Sequence, residues 1–70
     1  MNTLEAIKQA YPDALKMEET GSHLVVQIEG RDFSIDKDGL PPEVLEIQKG
    51  RFVYSAKCKQ VQARMAGVRQ

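Results

Sequence analysis

The sequence predicts a small α+β domain. We expect a small antiparallel sheet, built from a β-meander plus a hairpin, with a short N-terminal helix and a C-terminal amphipathic helix packed on one face. Alternating apolar and polar residues between 15 and 54 have the period of strands. Short turns containing glycine separate these stretches, and the final stretch has apolar residues at helical spacing. With 70 residues, the chain is expected to form a single domain, residues 1–70, with a marginal core.

The first predicted element is a helix of about two turns. Asn2 or Thr3 can cap it, and Leu4 and Ile7 place apolar side chains on one side. Pro12 ends the helix, because a residue that precedes proline is pushed out of the helical conformation. A helix this short is not stable alone in water, so it must pack on another element.

A three-stranded meander is predicted next. Its strands are expected at residues 15–20, 23–29 and 32–36. A two-residue turn at 30–31 would place Ile28 opposite Phe33 and Val26 opposite Ile35. All four apolar side chains then lie on one face of the sheet, so the register is self-consistent.

The segment 43–55 has two interpretations. As a hairpin with its turn at 49–50, it pairs Ile47 with Phe52 and Leu45 with Tyr54. As a helix, it would start near Pro42 and stop at Gly50. The hairpin is favoured, because residues 51–54 are strongly strand-like and need a partner strand. Phe52 and Tyr54 are then expected to pack in the core.

The last element is a helix expected from about Ser55 to Ala66, with Gly67 as its stop. An apolar stripe runs along one side of it, and small residues occupy the other side. The stripe consists of Cys58, Val61, Met65 and Val68. The stripe can serve the protein's own core or a homodimer, and the side with Ala56, Ala63 and Gly67 could meet a second copy.

Charge is divided unevenly along a chain with no net charge. Residues 1–48 carry four basic and ten acidic side chains, a net charge of −6, whereas residues 49–70 carry six basic and no acidic ones, a net charge of +6. The basic segment can bind an anionic partner or dock on the protein's own acidic body. The candidate anionic-partner contacts are Lys49, Arg51, Lys57, Lys59, Arg64 and Arg69.

Histidine and cysteine usage argues against an enzyme or a metalloprotein. His23 and Cys58 are the only residues of their types, so neither an internal disulfide nor a histidine–cysteine metal site is expected. We predict no catalytic residues, no metal and no cofactor. A lone cysteine suits a reducing compartment, so a cytoplasmic location is expected. We expect neither a secretory leader nor a membrane-spanning segment, and no membrane partner.

Two functions are consistent with this pattern. The first is a small non-enzymatic protein-interaction module, a regulator or inhibitor of the size common among small phage proteins, acting on a partner protein and expected to be a homodimer. Its candidate contacts with a basic partner are Glu18, Glu19, Glu29 and Asp32. The alternative is a nucleic-acid-binding regulator that uses the basic C-terminal helix.

Overall fold

A computed structural model describes residues 2–39 and 42–68 of the chain. The elements are α1 (Thr3–Ala10), β1 (Leu15–Glu19), β2 (His23–Ile28), β3 (Arg31–Asp36), β4 (Val44–Gln48), β5 (Arg51–Val53) and α2 (Ala56–Val68). The five strands form one antiparallel sheet in the order of the sequence. The predicted α+β class, with a meander, a hairpin and a helix at each end, is confirmed.

Helix α1 begins with a reciprocal cap. The Asn2 side chain accepts a hydrogen bond from the backbone N–H of Glu5 at 2.8 Å, and the Glu5 carboxylate accepts one from the N–H of Asn2 at 3.0 Å. This capping box satisfies two of the N–H groups that a helix start leaves unpaired. The helix ends at Ala10, two residues before Pro12, so the predicted cap and stop are confirmed.

The β2–β3 hairpin turns one residue earlier than predicted. Glu29 and Gly30 form the turn, both with positive φ (53° and 79°), and Val26 lies opposite Phe33. The predicted pairings of Ile28 with Phe33 and of Val26 with Ile35 are therefore both wrong by two positions. Positive φ at both central residues is the type I′ geometry that matches the twist of paired strands. The face assignment survives, because a shift of two residues preserves the alternation.

Residues 44–53 form the hairpin and not the alternative helix. Ile47 lies opposite Phe52, as predicted. The pairing of Leu45 with Tyr54 is not formed, because β5 ends at Val53 and the Tyr54 hydroxyl donates to Gln62 Oε1 of α2 at 2.9 Å.

Both helices pack on the same face of the sheet. The strands contribute Leu24, Val26, Ile28, Phe33, Ile35 and Val44 to the core, and the helices and the α1–β1 loop contribute Ala6, Ile7, Tyr11, Ala14, Cys58, Val61 and Met65. The expectation that Phe52 and Tyr54 pack in the core is wrong, since they are 65% and 53% exposed. Phe52 is exposed because side chains alternate along a strand, and it lies with Ile47 on the face that the helices leave uncovered.

Helix α2 is longer than expected. It continues through Gly67 to Val68, so Gly67 is not the predicted stop. Ser55 precedes the helix as expected, but its hydroxyl donates to Glu46 Oε1 at 2.6 Å. Within the described residues, neither helix is long and apolar enough to cross a membrane.

Candidate functional site

The sheet face opposite the helices is the candidate site, and we call it the open face. Residues directly opposite each other in a sheet share a face, so the register defines its rows. The central row is Glu18, Val25, Ser34 and Leu45; the row toward the β2–β3 turn is Leu15, Gln27, Asp32, Ile47 and Phe52; the row at the other end is His23 and Asp36.

A shallow depression of about 400 Å³ lies on the open face. Val25, Leu45 and Phe52 give it apolar walls, and Glu18 and Asp36 add carboxylates. Other polar residues complete the lining, namely Thr20, His23, Ser34 and Glu43. Val25 and Leu45 are half-buried although neither of the described helices covers them. An apolar centre with a polar rim is the usual composition of a protein-binding patch.

The charged side chains on the open face are all acidic within the described strands. Glu18, Asp32 and Asp36 lie on its rows, and Glu43 lies at its rim. The ion pairs among the described residues involve other carboxylates, on the helix side and at the sheet edges. These pairs are Lys16–Glu19, Lys37–Glu19, Arg31–Glu46 and Lys57–Glu29. The open face therefore presents apolar groups beside carboxylates that no described lysine or arginine neutralises.

Asp32 has an unusual position on this face. It lies opposite both Gln27 and Ile47, in the middle of its row. Its Oδ1 atom is buried and has no hydrogen-bond partner among the described residues. A buried carboxylate oxygen without a donor is costly to the folded state.

Two of the four acids predicted to contact a basic partner are paired within the chain. Glu19 contacts Lys37 at 2.8 Å, and Glu29 contacts Lys57 at 2.5 Å. These hydrogen bonds lower the pKa of both carboxyls below the usual glutamate value. The other two predicted acids, Glu18 and Asp32, lie on the open face.

The basic residues of α2 lie partly against the protein's own body. Lys57 is only 13% exposed, and its ammonium is 5.5 Å from the centre of the Tyr11 ring. Arg64 lies 5.0 Å from the same ring, and its guanidinium donates to the carbonyl of Ala10 at 3.5 Å. Together with the Lys57–Glu29 ion pair, these contacts dock one edge of the basic helix on the acidic part of the chain.

The remaining predicted basic contacts lie elsewhere. Lys49 and Arg51 are exposed at the β4–β5 hairpin. Lys59 is exposed on α2, with its ammonium 5.8 Å from the centre of the Tyr54 ring. Arg69 lies outside the described residues.

The structure places the predicted helix stripe against the protein's own sheet. Cys58, Val61 and Met65 are buried, and Val68 packs at the edge of the core. Cys58 Sγ lies 3.4 Å from Ser55 Oγ and 3.5 Å from the carbonyl oxygen of Val53. In the described part of the chain, no group of three His, Cys, Asp or Glu side chains is arranged to hold a metal ion.

The sequence pattern does not reveal the open face, because it gives the register within each hairpin and not the register between the two hairpins. Ile47 and Phe52 pair as predicted, but they lie on the face opposite Val26 and Phe33. The β3–β4 register decides this, since it places Glu46 and not Ile47 opposite Phe33. Val44 is the residue that points to the correct face. It lies two positions before Glu46 on β4, so both side chains are on the same side of the sheet, and Val44 is buried in the core.

Comparison with known proteins gives no relative: no protein-family model, no curated protein and no solved structure matches the chain.

Proposed function

We propose that the protein is a small non-enzymatic interaction module, a cytoplasmic regulator or inhibitor, that binds a partner protein through its open face. One observation carries the proposal: Val25, Leu45, Ile47 and Phe52 lie together on a sheet face that residues 2–39 and 42–68 leave uncovered, beside carboxylates that no described lysine or arginine pairs with. Exposed apolar patches rimmed by polar groups are typical of protein-interaction sites. An antiparallel sheet can leave one face to water, but that face is then usually polar.

Site-specific photo-crosslinking tests the proposal. A photoreactive phenylalanine analogue replaces Phe52 on the open face, and the matched control places it at Gln9, an exposed position on α1. We expect protein adducts in the native cell extract from position 52 and not from position 9. The adduct is identified by mass spectrometry, and its binding is then measured with the purified partner. Equal adducts from both positions, or none from position 52, would refute the open face as the binding surface.

The homodimer stays a prediction. The stripe that suggested it is buried within one chain, so a dimer would need another surface, such as the outer side of α2 near Ala63. Light scattering on the wild type and on an Ala63→Arg variant tests that contact. A dimer that the variant converts to a monomer would support it, and a monomeric wild type would remove the homodimer from the proposal.

Nucleic-acid binding stays the alternative, supported by the exposed cations Lys49, Arg51 and Lys59. Lys57 and Arg64 contribute less to it, since they already contact the protein's own Glu29 and Tyr11. Titration of labelled duplex DNA and RNA at several salt concentrations distinguishes the two functions. Binding with a log–log salt slope of magnitude about 3 or more would favour the alternative, because it requires several neutralised phosphates.

A further inference from the structure

We infer that the occupant of the open face is a basic amphipathic helix of the partner protein, with its apolar stripe on Val25, Leu45 and Phe52 and its lysines or arginines beside Glu18, Asp36 and Glu43. This inference rests on the proposed function and specifies the chemistry of the partner.

The charge of the open face indicates that the partner surface is basic. The acids of the open face and its rim carry no cation from the described residues, whereas three acids elsewhere, Glu19, Glu29 and Glu46, are paired. A basic partner would place its cations where the described residues supply none. Complementary charge of this kind speeds association and excludes acidic competitors.

The same charges argue against a second copy as the occupant. Two open faces packed together would bring Glu18, Asp32 and Asp36 of one copy against the same acids of the other. Like charges placed together at an interface are unfavourable, and more so where burial removes water. A face-to-face dimer would therefore bury acids for which the described part of either copy supplies no cation.

Dimensions favour a helix as the occupant. Five strands about 4.8 Å apart, the longest of six residues, give a face of at most roughly 19 by 20 Å. A helix of 13 residues, the length of α2, is about 20 Å long and about 10 Å wide. One such helix spans the apolar centre and leaves room at its side for cations near the acidic rim. A partner strand would pair at a sheet edge, and β1, at one edge, is interrupted by a register shift between Lys16 and Glu18.

The test uses two synthetic helical peptides of about 14 residues. Both carry the same leucine stripe at i, i+3, i+4 and i+7; one has lysines flanking the stripe, and the other has glutamates at the same positions. Binding is followed by amide chemical shifts of the full-length, isotopically labelled protein. We expect the lysine peptide to shift Val25, Ser34 and Leu45, and the glutamate peptide to bind roughly tenfold more weakly or not at all.

A pair of double variants assigns the effect to the open face. Asp36→Asn with Glu43→Gln should weaken the lysine peptide severalfold. Glu5→Gln with Asp13→Asn removes the same charge from exposed positions elsewhere and should leave binding unchanged, since glutamine also completes a capping box.

Equal affinity for both peptides on the open face would overturn the basic partner, while the open face would still bind protein and the proposed function would stand. Shifts confined to other surfaces, or no shifts with either peptide, would overturn the inference as well. In that case the crosslinking from position 52 decides the proposed function independently.

Discussion

Arg31 donates two parallel hydrogen bonds to the carboxylate of Glu46, from Nε to Oε2 and from Nη2 to Oε1, each 2.7 Å long. The pair is diagonal across strands β3 and β4 on the side of the sheet that the helices cover, because Glu46 lies opposite Phe33. Ser55, just before α2, donates a third hydrogen bond to the same carboxylate. Glu46 is 3% exposed, so the three donors let a charged group occupy the edge of the core.

Because of this arrangement, part of the free energy of unfolding depends on pH. The hydrogen bonds from Arg31, and then from Ser55, hold the pKa of Glu46 at about 2, below its ordinary value of 4.5. The folded state therefore binds fewer protons than the unfolded state between these pH values. The stabilisation is complete above pH 4.5 and is lost as the pH falls through about 2.

We expect Glu46→Gln to lower the free energy of unfolding at pH 7 by about 1–3 kcal/mol, since charged hydrogen bonds become neutral ones. Urea unfolding of the wild type and the variant between pH 7 and pH 2 measures this. The gap between the two should close as the pH falls, while the slope due to Glu19 and Glu29 remains in both. A gap that stays constant with pH would show that the pKa of Glu46 is not depressed in the folded protein.

Glu46 also shows where prediction from the sequence stops. The alternation of apolar and polar residues, together with the turn residues, was sufficient to predict the five strands and the inward position of Val26 and Ile35. They did not distinguish a turn at 30–31 from one at 29–30, because both registers leave the same side chains on the same face. Nor did they identify the open face, because a glutamate is expected to point outward unless its partner is known. Arg31 is 15 residues away in the chain, and only the assembled sheet brings the two together.

Met65 tests the role of the helix stripe. Its side chain is 2% exposed in the core, so Met65→Asp should cost more than about 3 kcal/mol by burying a charge and losing apolar contact. Ala63→Asp, on the exposed side of the same helix, is the matched control and should cost less than about 1 kcal/mol. Circular dichroism and thermal unfolding give both values. If the Met65→Asp variant folds with wild-type stability, the apolar stripe of α2 is not part of the core.

The turn at Lys49 offers a stabilising change. Lys49 has φ of 51° and is followed by Gly50 at 75°, the geometry for which Asn-Gly is the preferred pair. Lys49→Asn should raise the free energy of unfolding by about 0.5 kcal/mol, because asparagine tolerates positive φ better than lysine. Denaturant titration detects a change of this size.

The equivalent position in the other hairpin is the control. Glu29→Asn gives the same backbone relief at φ 53° but also removes the ion pair with Lys57. Its net gain should therefore be smaller than that of Lys49→Asn. A loss of stability in Lys49→Asn would contradict the positive φ at that turn.

Tyr11 and Tyr54 should respond differently to loss of the hydroxyl. The Tyr11 side chain is 5% exposed, and its hydroxyl has no partner among the described residues. The Tyr54 hydroxyl donates to Gln62 at 2.9 Å on the surface. Because an unpaired buried hydroxyl is unfavourable, Tyr11→Phe should leave the free energy of unfolding unchanged or raise it by up to about 1 kcal/mol.

Tyr54→Phe should lower the free energy of unfolding by about 0.5 kcal/mol, because the surface hydrogen bond to Gln62 is lost. Urea unfolding of both variants at pH 7 measures the difference, and a loss of more than about 1 kcal/mol in Tyr11→Phe would mean that the buried hydroxyl has a hydrogen-bond partner in solution.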